Sequence, residues 1–156
     1  MTQRQCFLAA ALGSAALMLG ALAFQHIGGM APCKLCIWQR YPHVVAIVLG
    51  ALALAVSNAH ARLVIILAGA VSTAITAGIG IYHAGVERGI FEGPTSCTSG
   101  SISDLSADDL LNQIMSAPLV RCDDIPWQLA GISMAGWNAI VSLLLCALWL
   151  MALKRR

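Results

Sequence analysis

The 156-residue chain is 59% hydrophobic and only 10% charged, with a formal net charge of +2, whereas a soluble domain carries about 25% charged residues. So little polar surface cannot cover a water-soluble particle of this size, and the basic residues are scattered along the chain without forming the stripe that a nucleic-acid partner requires. All seven acids fall between Glu87 and Asp124, a segregation that suits apolar spans joined by loops.

The first apolar stretch covers about residues 6–27. Arg4 precedes it, and Ala21-Leu22-Ala23 loosely fits a signal-peptide cleavage site. The stretch is longer than the roughly 7–15-residue apolar region of a signal peptide, so it reads as a retained span. A loop over residues 28–37 carries Cys33 and Cys36. The second span covers about 38–57, with an uninterrupted apolar core only from 44 to 56. Pro42 removes a hydrogen bond near its start, which predicts an irregular first turn or a regular helix beginning near Tyr41. After the tight link 58–62 comes a third span, about 63–82, closed by His83. A long loop over 83–131 leads to the fourth span, about 132–153. Spans of about 20 apolar residues rich in small side chains pack closely in lipid. The expected fold is an all-α membrane protein: one integral domain of four transmembrane helices with two external loops.

Within the long loop, Ser106 fits a helix N-cap followed by Asp108 and Asp109. Leu110, Leu111, Ile114 and Met115 then share one face, and Pro118 ends the segment. Such a helix either lies on the membrane surface or packs against the rest of the loop.

Four spans place both termini on one side. That side holds Arg4, Arg62, Lys154, Arg155 and Arg156 in very short segments, against Lys34, Arg40, Arg88 and Arg121 on the other. Short basic segments mark the cytoplasmic face, so the termini are expected in the cytoplasm and both cysteine loops outside.

Of the six cysteines, Cys6 and Cys146 fall in or beside spans and read as small apolar residues. Cys33-Lys34-Leu35-Cys36 is a C-x-x-C, ambiguous alone between redox and metal chemistry. A helix beginning near Cys36 would set unpaired N–H groups against its sulfur and favour a thiolate, with Arg40 one turn on. Cys97 and Cys122 lie in the second loop, and a disulfide closing that loop contributes roughly 3 kcal/mol. The pair reads either as a structural bridge or as one half of a thiol relay. Zinc is disfavoured, because the second pair lacks zinc-knuckle spacing and an external compartment favours disulfides. No other metal site is indicated.

The string Cys33-Lys34-Leu35-Cys36-Ile37-Trp38-Gln39-Arg40, opening a second span, resembles the DsbB disulfide bond formation family. The resemblance covers almost the whole chain: four spans, the C-x-x-C in the first external loop, the spaced pair in the second, and Pro126-Trp127 leading into the last span. It implies a membrane thiol oxidase of the bacterial inner membrane, with cysteine loops in the periplasm. Such an enzyme reoxidises a thioredoxin-like dithiol oxidase, DsbA, and passes the electrons to membrane quinone, either ubiquinone or menaquinone. It implies catalytic roles for Cys33, Cys36, Cys97 and Cys122. The partner thiolate attacks Cys97 of a Cys97–Cys122 disulfide, and the freed Cys122 opens Cys33–Cys36. Cys36 is left as a thiolate beside the quinone. Arg40 matches the family arginine near the quinone, and His83 and Trp38 are further candidates for quinone contact. His26 and His43 have weaker claims, and Trp127 and Tyr82 read as interfacial aromatics.

The rival readings are a paralogue serving one dedicated partner, a cysteine-ligated metal transporter or sensor, and a membrane adaptor stapled by two disulfides. Spans free of acidic residues argue against ion transport.

Overall fold

The structure, a computed structural model, describes residues 1–94 and 120–154. Cys97 and the helix expected after Ser106 lie outside the described residues. Four helices are long and apolar enough to cross a membrane. They are α1 (Gln3–His26), α2 (Lys34–Ala55), α3 (Ala59–Glu87) and α4 (Met134–Lys154). A short hairpin precedes α4, pairing β1 (Gln128–Leu129) with β2 (Ile132–Ser133) antiparallel. Its turn residues Ala130 and Gly131 have φ of 52° and 75°, the left-handed pair that a two-residue hairpin turn demands.

Each helix start has a local cause. Thr2 and Gln5 form a reciprocal capping box at α1. The Cys33 sulfur accepts from the Cys36 N–H at α2. The Asn58 side chain accepts from the His60 and Ala61 N–H groups at α3, so the link between α2 and α3 is shorter than the expected 58–62. Arg62 donates to the Val56 carbonyl at 2.7 Å and closes the end of α2.

The helices form a closed ring in which α3 packs on α2 and α4, and α1 packs on the same two neighbours. Large apolar side chains cover the outside of the ring, and small hydroxyls lie among the apolar residues inside it. Leu12, Val48, Val64, Val71 and Leu144 are exposed, whereas Ser14, Thr73, Thr76 and Ser142 are fully buried. Lipid tails are as apolar as leucine, so helix association there rests on close packing and interhelical hydrogen bonds. Two glycines show how close the approach is. A Cβ at Gly69 would lie 2.5 Å from the ring of buried Trp149, and one at Gly50 would lie 2.3 Å from the Ala11 Cβ.

Two expectations need correction. Helix α2 starts at Lys34 and runs without a break through Pro42. Hydroxyls from α3 support the carbonyls around the proline: Ser72 donates to the Pro42 carbonyl at 2.7 Å and Thr76 to the Gln39 carbonyl at 3.0 Å. These donors tie the stretch around Pro42 to α3, while the carbonyl that the proline itself frees is that of Trp38. Helix α3 continues past residue 82 to Glu87, so His83 sits one turn inside the end of the helix, whose last residue is an acid.

Candidate functional site

The site lies where the start of α2, the end of α3 and the start of α4 meet. Cys33 caps α2, and Cys36 follows within its first turn. Their sulfurs are free thiols 2.8 Å apart, with the Cys33 S–H donating to Cys36. Closing this gap to a disulfide needs a shift of about 0.8 Å, given a bond of about 2.05 Å. Donation to Cys36, together with burial, holds the Cys33 thiol well above its ordinary range. The first helical turn thus directs a backbone N–H at the Cys33 sulfur, not at Cys36 as the sequence suggested. Cys33 in turn gives its proton to the Cys36 sulfur.

Cys122 is disulfide-bonded, and its partner sulfur lies outside the described residues. It packs in one buried cluster with Cys33, Leu35 and Val86, with Cys36 and Tyr82 at the edge. The fold therefore carries a sulfur of the second loop to the C-x-x-C.

His83 is buried behind these sulfurs. Its Nε2 lies 3.5 Å from the Cys33 sulfur and 3.9 Å from Glu87 Oε1, and its ring also bonds the Cys122 backbone. Its Nδ1 takes a hydrogen bond at 2.8 Å from Gln39. Asn138 on α4 reaches Gln39 Oε1 at 2.6 Å, and His43 reaches Asn138 Oδ1 at 2.9 Å. Gln39, Glu87 and Asn138 were given no role in the sequence reading. Polar residues inside apolar spans are functional candidates by default, and that signal was present for Gln39 and Asn138.

A cavity of about 550 Å³ opens beside the thiols. Cys33, Cys36, Arg40, His43 and His83 contribute to its wall, and Leu17, Ala21, Phe24 and Trp137 add apolar surface. Arg40 Nη1 donates to Gln25 Oε1 at 2.6 Å, while its Nε is buried without a partner among the described residues. Trp38 is not part of the lining; it is partly exposed, with Lys34 Nζ 5.5 Å from its ring centroid. The Cys33, Cys36 and His83 ligand atoms lie within 4.8 Å of one another, close enough to hold a metal ion.

Paired thiols on a helix cap, a second cysteine in disulfide linkage beside them and an apolar cavity define a multi-pass membrane protein of thiol–disulfide chemistry. The comparisons narrow this class. The family model described as Disulfide bond formation protein DsbB matches residues 3–152. Proteins named Disulfide bond formation protein B are similar across most of both chains. Those of Albidiferax ferrireducens and Pasteurella multocida are each 31% identical, over 88% and 92% of this chain and 82% and 85% of their own lengths. That of Shewanella amazonensis is 33% identical over 90% of this chain and 83% of its own. The chain belongs to the DsbB family, whose chemistry is that of a disulfide oxidoreductase.

Proposed function

We propose that this chain is a quinone-dependent thiol oxidase of the bacterial inner membrane that reoxidises a periplasmic thioredoxin-like dithiol oxidase. One observation carries the reading. The Cys33–Cys36 pair packs with disulfide-bonded Cys122 and also lines a largely apolar cavity whose wall includes Arg40. Electrons entering at the loop cysteines thus have an adjacent acceptor pair and, beyond it, room for a lipid-soluble ring.

The cavity suits a quinone on physical grounds. Its wall is largely apolar, and the orphaned Arg40 Nε is a charged donor suited to a carbonyl oxygen. Arg40 is the residue that would hold such a group, with His83 and His43 also in the wall. A quinone held there would supply the two-electron, two-proton acceptor that the reduced Cys33–Cys36 pair requires.

The chain's own steps are thiol exchanges. A partner thiolate attacks Cys97 of a Cys97–Cys122 disulfide, and Cys122 leaves with the bonding electron pair. Cys122 attacks Cys33 of an oxidised Cys33–Cys36 disulfide, and Cys36 leaves as a thiolate facing the cavity. A second partner thiol then attacks the partner sulfur joined to Cys97, releasing oxidised partner and the Cys97 thiolate. That thiolate attacks Cys122, restores Cys97–Cys122 and expels Cys33, so that Cys33 and Cys36 are left reduced. Both cysteine loops are read as periplasmic, which the short basic segments at the opposite ends of the helices support.

The test is a quinone-reduction assay on purified protein in detergent with a reduced thioredoxin-like dithiol protein. Loss of the oxidised quinone absorbance that requires both enzyme and dithiol is expected. No turnover with ubiquinone or menaquinone and an authentic periplasmic dithiol oxidase would overturn the reading.

A further inference from the structure

A file of buried polar side chains crosses the bundle from His43 through Asn138 and Gln39 to His83, ending at Cys33. Each amide has one donor end and one acceptor end, so turning one amide obliges the next to turn. In isolation the file could run in either direction. Thr76 removes that freedom. Its hydroxyl proton is committed to the Gln39 backbone carbonyl at 3.0 Å, so its oxygen offers only lone pairs to Asn138, 3.3 Å away. Asn138 must therefore present its NH2 on this side, because its carbonyl would set two acceptors in contact. The same NH2 donates to Gln39 at 2.6 Å, which must receive it on Oε1. Gln39 then turns its own NH2 to His83 Nδ1 at 2.8 Å. A ring nitrogen that accepts cannot carry the proton of a neutral imidazole.

We propose that Gln39 and Asn138 are positioning residues, oriented by Thr76, that hold neutral His83 as the Nε2–H tautomer and so make it a hydrogen-bond donor to Cys33. This rests on the thiol-exchange reading above and adds residues to it.

The consequence lies at the sulfur. Cys33 faces the Cys36 backbone N–H at 3.2 Å and His83 Nε2 at 3.5 Å, whose one proton Cys33 shares with the Cys122 backbone. When Cys97 attacks Cys122 of the Cys33–Cys122 disulfide, Cys33 is the leaving group and its sulfur keeps the bonding electron pair, and both donors stabilise the thiolate without transferring a proton. The opposite tautomer would turn a lone pair toward that sulfur and withdraw one donor. At the far end of the file, His43 gives its Nε2–H to Asn138 Oδ1 at 2.9 Å, and its buried Nδ1 has no partner among the described residues.

The experiment is nitrogen NMR of the full chain in detergent with 15N-labelled histidine, the His83 signals being assigned by their loss in His83→Gln. The expected result is a protonated Nε2 and a bare Nδ1. Gln39→Glu replaces the donor with a carboxylate oxygen, and the proton is expected to move to Nδ1. Thr76→Val, which keeps the shape and removes the hydroxyl, is expected to give a mixture of tautomers, and Thr76→Ser the original one. These threonine variants keep the inference testable if Gln39→Glu does not fold. A protonated Nδ1 in the unaltered chain, or a ring indifferent to both Gln39→Glu and Thr76→Val, overturns it.

The positioning role is read from turnover. Gln39→Glu is expected to lower kcat roughly tenfold or more, the scale of one hydrogen bond to a charged group. A shifted tautomer with full kcat overturns that role. Because the ring proton is read without turnover, the two readings fail separately. Normal quinone reduction by a chain with Nδ1–H sinks only this inference, and an inactive unaltered chain with Nε2–H sinks only the proposed function.

Discussion

Arg40 on α2 is tethered to Gln25 near the end of α1, Nη1 to Oε1 at 2.6 Å, and its Nε remains buried without a partner among the described residues. The tether fixes the guanidinium plane at the cavity wall and leaves one donor for a ligand. Arg40→Ala is therefore expected to raise the quinone KM by roughly tenfold or more, from the loss of a charge-assisted hydrogen bond. Gln25→Ala keeps the charge and loses only the tether, so a smaller rise is expected. Steady-state kinetics over a range of quinone concentrations checks both, and unchanged KM values would remove Arg40 from the site.

The Cys33 thiol donates to the Cys36 sulfur 2.8 Å away. Either Cys33→Ala or Cys36→Ala is expected to abolish electron transfer from dithiol to quinone, since no alternative thiol pair stands at the cavity among the described residues. If both variants kept full activity in the quinone assay, the relay would be wrong.

The same pair predicts an alkylation pattern. Donation to Cys36 is the first cause of the raised Cys33 thiol, ahead of burial. Removing the acceptor in Cys36→Ala should lower the Cys33 pKa toward its ordinary value. A lower pKa means more thiolate at a given alkaline pH, so alkylation of Cys33 should speed up and its pH profile should move to lower pH. Peptide mass spectrometry after timed alkylation reads this out. A profile that stayed in place would mean burial alone governs the thiol.

Close packing at α3 predicts stability effects remote from the cysteines. A methyl at Gly69 would meet the Trp149 ring at 2.5 Å, and Trp149 is fully buried. Gly69→Ala is expected to destabilise the bundle by about 1–3 kcal/mol, the range for overpacking. A thermal unfolding curve in detergent no lower than that of the unaltered chain would show that the ring can move aside.

Ser72→Ala tests the tie between α3 and the stretch of α2 around Pro42. It removes the donor to the Pro42 carbonyl at 2.7 Å. A loss of about 1 kcal/mol is expected, the net contribution of one hydrogen bond. The same unfolding measurement checks it, and unchanged stability would mean the carbonyl is satisfied without Ser72.

The sequence by itself determined the four spans and the C-x-x-C string, because both are contiguous. A run of apolar residues long enough for a bilayer and a motif opening a span can be read without knowing what lies beside them. Helix ends were less legible. Pro42 argued locally against a regular turn, yet α3 hydroxyls support the carbonyls around it, and the helix starts at Lys34. His83 read as the end of a span because Glu87 and Arg88 look like loop in sequence, whereas α3 continues to Glu87.

The assembly of the site was decided only by tertiary structure. Gln39, His83 and Asn138 belong to three different helices and are separated in sequence by 44 and 99 positions, yet they join end to end. Their partners depend on helix rotation and packing, which no local pattern encodes. In a membrane interior without water to satisfy them, these buried groups must find one another, and the packing of α2, α3 and α4 decides which ones do.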